Sequence, residues 1–176
     1  MALLALKEQL NVLLNSMFAE GLLDQQFQQL QMLQDGSSPG FVAEVITLFC
    51  EDSERILTEL SKLLEQQVVD YQKVDAYVHQ LKGSSASVGA QNVKLACAQF
   101  RQFYEENNKE GCIRALNVVK HEFYRVRNKF DNMFQVPSVS TNELSAAMSV
   151  MSATRLETVE RSDDPAVMVA VSYGRE

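Results

Sequence analysis

Over residues 41–136 apolar side chains recur every third or fourth position in four separate runs, with polar residues between them. The first run, 41–64, places Val42, Val45, Ile46, Phe49, Ser53, Ile56, Leu57, Leu60, Leu63 and Leu64 on one stripe. At about 3.6 residues per turn, that spacing turns one face of an α-helix toward a core. The second run opens at Asp70. It carries Val74, Val78, Leu81, Ser85 and Val88 and stops at Gly89. The third, from about Asn92, points Val93, Ala96, Cys97, Phe100, Phe103 and Tyr104 inward and closes at Asn107 and Asn108. The fourth starts near Gly111 and runs through Cys112, Ile113, Leu116, Val119, Phe123, Val126, Phe130 and Met133. Four amphipathic helices joined by short connections predict an antiparallel four-helix bundle over about 41–136.

Two shorter helical segments precede it, over about 2–34. Leu3, Leu6, Leu10, Leu13, Leu14 and Met17 form one stripe, and Leu22, Leu23, Phe27, Leu30 and Leu33 form another. The turn text DGSSPG at 35–40 ends the second. These helices are expected to cover an end or side of the bundle, giving an all-α domain over 1–136. After Pro137 the text changes. Thirteen of the fourteen aromatics precede that proline, and only Tyr173 follows it. Residues 137–176 hold no sustained apolar face and are expected to be a disordered tail, with a weak helical reading at 138–152 and a short extended one at 166–171.

Charge and composition narrow the function. Sixteen basic and 23 acidic residues leave a net charge of −7. An acidic chain is a poor partner for nucleic acid, whose binding depends on clustered Lys and Arg. No apolar run approaches the roughly 20 residues of a membrane helix. The opening text MALLALKEQLNVLL is interrupted by Lys7 and Glu8 and is not expected to act as a signal peptide. Ala2 rules out myristoylation. Cys50, Cys97 and Cys112 form no CxxC pair, fall on or near core stripes and read as reduced thiols. With two histidines and no close Cys–His spacing, a metal site is not expected. No glycine-rich loop joins a strand to a helix, so no nucleotide site is expected either. The adjacent pairs Glu51–Asp52 and Glu105–Glu106 do not share a helix face and read as solvated surface.

One histidine stands apart. With Val74 at zero and an advance of about 100° per residue, the core stripe lies within about 40° of zero and His79 falls at about 140°. Lys82 falls at about 80°, Gly83 at about 180° and Ala86 at about 120° on the same wheel. An exposed imidazole is a nucleophile near neutral pH. A lysine three residues on is a helical neighbour that can reach a group carried on the ring. A glycine inside a helix costs roughly 0.5–1 kcal/mol relative to alanine and calls for a reason, such as close approach of a partner. The spacing alone favours a solvated histidine on a polar face beside an incidental glycine. His121, between Lys120 and Glu122, reads as solvated surface.

The text HQLKGSSASVGA at 79–90 resembles the phosphorylation motif of plant histidine-containing phosphotransfer (HPt) proteins. The resemblance continues through Asn92-Val93-Lys94, Cys97, Phe100-Arg101, the acidic and amide run at 104–109, Asp24-Gln25-Gln26-Phe27 and the helix at 41–64, spanning about 1–134. It implies a phosphorelay intermediate of cytokinin-type multistep two-component signalling. In that role His79 is the phosphoacceptor, Lys82 contacts the phosphoryl oxygens, Gly83 leaves room for the partner's active site, and Gln80 orients or contacts at the docking surface. The implied partners are receiver domains of sensor histidine kinases and of response regulators. Mg²⁺ belongs to the receiver and no cofactor to this chain. The implied setting is a monomer in cytoplasm and nucleus, without ATP-dependent kinase activity. Inactive relatives of the family lack the histidine, which this chain keeps. The rival readings are a helical adaptor that binds receivers without carrying phosphate and a bundle that only scaffolds another complex. Residues 137–176 match nothing in the family.

Overall fold

The computed structural model describes residues 2–34, 37–38 and 40–134. The expected tail at 137–176, with its helical and extended readings, lies outside the described residues. Within them the chain forms six helices and no strand: α1 (Ala2–Ala19), α2 (Gln25–Met32), α3 (Phe41–Glu65), α4 (Tyr71–Val88), α5 (Gln91–Glu105) and α6 (Lys109–Phe134). α5 and α6 begin one and two residues earlier than the stripes indicate, because apolar positions mark the buried face rather than the first helical turn.

Helices α3 to α6 close into a ring in which each packs on the next and α6 returns to α3. Cross-helix pairs give the directions. Lys120 Nζ donates to Ser61 Oγ at 2.7 Å, and Arg127 on α6 pairs with Glu54 on α3, so rising numbers on one helix meet falling numbers on the other. Gln80 reaches Asp52 from α4 to α3, and the Tyr71 hydroxyl, at the start of α4, donates to the Asn107 carbonyl just beyond the end of α5. The four helices form the antiparallel bundle that the periodicity implies. Its core is built from the stripes, with Ile46, Ile56, Leu57, Phe100, Phe123 and Phe130 fully buried. Phe49 and Phe123 meet edge to face with ring centroids 6.0 Å apart.

The two N-terminal helices cover this bundle, α1 against α6 and α2 against α4. Leu6, Leu10, Leu14 and Met17 bury the inner side of α1, and Glu20 pairs with Arg125 and Lys129 of α6. Phe27 of α2 stacks on Phe130 at 6.1 Å. Two stripe positions do not go inside. Leu33 is 67% exposed, since α2 ends at Met32 and the helical repeat no longer aims the next residue. Ile113 is 40% exposed, at the edge of the α6 stripe and about 100° from Cys112.

The limits of α4 are local chemistry. The Asp70 side chain accepts from the Lys73 amide at 3.2 Å. At the other end Gly89 has φ +75°, and the Ala90 amide donates back to the Ser85 carbonyl at 2.9 Å. Gly89 also lies against α2: its carbonyl accepts from the Asp24 amide at 2.9 Å, and a Cβ there would stand 2.5 Å from the Phe27 nitrogen. Only glycine satisfies both demands. α4 is thereby fixed at each end, with its outer face turned to solvent.

Candidate functional site

Val74, Val78, Leu81, Ser85 and Val88 of α4 are buried, as the wheel places them. The opposite side carries His79, Gln80, Lys82 and Gly83, all exposed. Helical geometry arranges them as a strip. Lys82 borders it toward α5, where its charge acts on the Cys97 thiol. Gln80 borders it toward α3, where its Nε2 donates to Asp52 Oδ2 at 3.4 Å. His79 stands between the two.

One turn away the imidazole has Asp75 and Ala76 before it and Lys82 and Gly83 after it. Ala76 precedes it by three residues, Gly83 follows by four, and Ala86 and Ser87 continue the strip. A Cβ built on Gly83 meets nothing within 4 Å. Nothing among the described residues therefore requires this glycine, in contrast to Gly89 six residues later. Ser87 folds its hydroxyl back onto the Gly83 carbonyl at 3.0 Å, which keeps that side chain low. The exposed ring is left with a lysine beside it.

The surrounding chemistry is inert. Burial pushes the Cys97 thiol up to about 12, with the Lys82 charge pulling the other way, and desolvation raises Cys50 and Cys112 to about 11 each. Thiols so raised are protonated and unreactive at neutral pH. All three cysteines are free. Among the described residues no group of three or more His, Cys, Asp or Glu side chains is gathered to hold a metal. No described helix is long and apolar enough to cross a membrane. The other histidine, His121, is exposed on α6.

The sequence reading brings His79, Gln80, Lys82 and Gly83 onto one helix, and the structure keeps them on one exposed face. It passed over Asp52, read as solvated surface. Asp52 lies across the α3–α4 groove at the level of the histidine, holding Gln80 with one carboxylate oxygen and Arg55 with the other, at 2.7 and 3.2 Å. Its partner is 28 residues away in sequence, so no local pattern signals the contact.

The site this geometry offers is an exposed imidazole on a solvent-facing strip of a helical bundle, with a lysine beside it. Comparison with known proteins gives the class. The Hpt domain family model matches residues 44–129. The chain is 63% identical over 137 residues to histidine-containing phosphotransfer protein 2 of rice (Oryza sativa subsp. japonica), covering 77% of this chain and 92% of that protein. It is similar to the crystal structure of a maize histidine-containing phosphotransfer protein, with TM-score 0.71 and 68% identity, covering 74% of this chain and 95% of that one. A structure from Medicago truncatula matches with TM-score 0.70 and 41% identity, covering 89% of this chain and 96% of that one. The chain belongs to the plant histidine-containing phosphotransfer proteins, which are phosphorelay intermediates of two-component signalling and not kinases. Proteins of this family work with receiver domains.

Proposed function

We propose that His79 is the phosphoacceptor of this chain. A receiver's phosphoaspartate approaches the outer strip of α4, and a ring nitrogen of His79 attacks its phosphorus. The N–P bond forms as the acyl-phosphate O–P bond breaks. The aspartate leaves as a carboxylate and the imidazole ends neutral after losing its other ring proton to solvent. A second receiver reverses these steps. The family resemblance points to Nε2 as the reacting nitrogen.

Each neighbour has a part in the transfer. Lys82, a compact cation three residues on, offsets charge on the phosphoryl oxygens as they arrive. Gly83 leaves the space that the receiver's active site occupies. Gln80 contributes at the docking surface. The transfer depends on positioning and charge rather than on covalent machinery. The receiver supplies Mg²⁺, and the chain brings no cofactor, no metal and no ATP-dependent kinase activity of its own. The net charge of −7 suits protein partners and not nucleic acid or a membrane surface. The setting we assign is a monomer of cytoplasm and nucleus in cytokinin-type signalling, with residues 1–136 as the phosphotransfer domain.

The observation that carries this reading is the open space at Gly83 beside an exposed imidazole: an intrahelical glycine costs about 0.5–1 kcal/mol, and no contact among the described residues requires it. The test is incubation of the chain with a phosphorylated receiver and Mg²⁺. The reading expects phosphate on the chain that is labile in acid and stable in alkali. An adaptor that carries no phosphate would bind the receiver and stay unlabelled.

A further inference from the structure

The contact between Gln80 and Asp52 fixes more than a side-chain position. Gln80 offers an amide with two faces, a carbonyl that accepts hydrogen bonds and an NH₂ that donates them. Free in water, it can turn either toward a partner. An ionised carboxylate only accepts, so the amide's NH₂ must face Asp52, as the 3.4 Å distance from Nε2 to Oδ2 shows. The carbonyl is then left for solvent or for whatever docks on the strip.

Asp52 is itself held. Its Oδ1 accepts from Arg55 Nη2 at 2.7 Å and from Arg55 Nε at 3.2 Å, one turn along α3. The hydrogen bond and charge of Asp52 in turn hold the Arg55 guanidinium above its usual range. Three side chains therefore run in order across the α3–α4 groove, Arg55 to Asp52 to Gln80, ending beside His79. Arg55 keeps Asp52 turned, and Asp52 keeps Gln80 turned.

We propose that Asp52 is a positioning residue for receiver docking: clamped by Arg55, it orients the Gln80 amide so that its carbonyl faces the partner, and the receiver must bring a hydrogen-bond donor there. The donor is a backbone N–H or a Lys, Arg, Ser or Thr side chain, and a receiver that presents a carboxylate or a bare carbonyl at that point is disfavoured. This rests on the phosphoacceptor reading of His79 and adds a selectivity element to the same face.

The experiment uses the full chain and a phosphorylated receiver that the wild-type chain discharges. Transfer rate against receiver concentration gives KM and the limiting rate for wild type, Gln80→Ala, Asp52→Ala, Asp52→Asn and the Gln80→Ala/Asp52→Ala pair, each checked for an unchanged Tm. A single exposed hydrogen bond corresponds to about a threefold to tenfold change. Gln80→Ala should raise KM by that amount and lower the limiting rate much less. Asp52→Ala should raise KM by about threefold, since the amide stays present but is free to turn. Asp52→Asn, which keeps a carbonyl acceptor, should recover most of the loss. In the Gln80→Ala background, Asp52→Ala should add nothing. Equal effects of Asp52→Ala with and without Gln80 would overturn the proposal, because Asp52 would then act on the receiver directly. An unchanged KM in Gln80→Ala, or a fall in limiting rate alone in Asp52→Ala, would also overturn it. Failure of the phosphoacceptor reading looks different: wild type itself takes no phosphate at any receiver concentration.

Discussion

The chain has two histidines, both exposed, both on long helices of the same bundle. Their surroundings differ one turn away. Around His79 stand Asp75, Ala76, Lys82 and Gly83, two of them small. Around His121 stand Val118, Tyr124 and Arg125, with Val118 and Tyr124 among the exposed large apolar groups and Arg125 paired to Glu20 and Glu122. Three and four residues after His121 stand a phenol and a guanidinium. Exposure is thus shared by the two rings, and what separates them is the size and charge of residues three and four positions on.

The sharpest way to break the contrast is to give His79 the neighbour of His121. Gly83→Arg puts at the fourth position the residue type that follows His121, and should slow transfer by about 100-fold or more, roughly 2.7 kcal/mol in the barrier. Its Tm should be unchanged or higher, because arginine favours helix over glycine and the space is open. Normal transfer in this variant would remove the reason given for the glycine.

A second glycine tests whether α4 merely tolerates substitution. Gly89→Ala should destabilise the fold by about 2 kcal/mol or more, since alanine is strained at φ +75° and its Cβ would stand 2.5 Å from the Phe27 nitrogen. That predicts a Tm lower by about 8 °C or more for a domain of this size. Transfer by the folded fraction should survive. Gly83 and Gly89 would then separate cleanly into one residue that serves the partner and one that serves the fold.

Lys82→Ala comes next in size. It should slow transfer about tenfold and change receiver affinity little, since an exposed lysine adds little to docking but its charge matters as the phosphoryl group arrives. Equal losses in both would make it a docking residue.

The smallest effects concern the buried stripe. The hydroxyls of Ser53 and Ser85 are buried and have no hydrogen-bond partner among the described residues. Ser53→Ala and Ser85→Ala should raise stability by up to about 1 kcal/mol and leave transfer alone, which urea denaturation would measure. Truncation after Gln135 should likewise leave transfer to His79 close to that of the full chain, as the described core stripes end at Met133. A large loss of transfer or of Tm on truncation would assign residues 136–176 to the working domain.

The legibility of the molecule follows the range of each interaction. α4 could be read almost whole, because burial enforces a repeat on one face and the cap residues Asp70 and Gly89 act on their own backbone. His79 could be located off the stripe for the same reason, and Gly83 stood out as a cost without a local return. Leu33 and Ile113 were misplaced where the repeat loses authority, one past a helix end and one at a stripe edge that depends on which helix packs alongside. Asp52 could not be found, because its link to Gln80 exists only once α3 and α4 run antiparallel in a particular register. The role of the strip itself came from the resemblance of residues 79–90 to a known motif, since no physical rule distinguishes a phosphoacceptor histidine from a solvated one by spacing alone.

The most direct test labels the two histidines separately. Wild type, His79→Gln and His121→Gln are incubated with the same phosphorylated receiver, and acid-labile, alkali-stable phosphate on each is measured along with helicity. His121→Gln should accept phosphate as wild type does, and His79→Gln should accept none while keeping its helical content and Tm. Phosphate on His79→Gln, or its loss from His121→Gln, would place the acceptor elsewhere and contradict the account of α4.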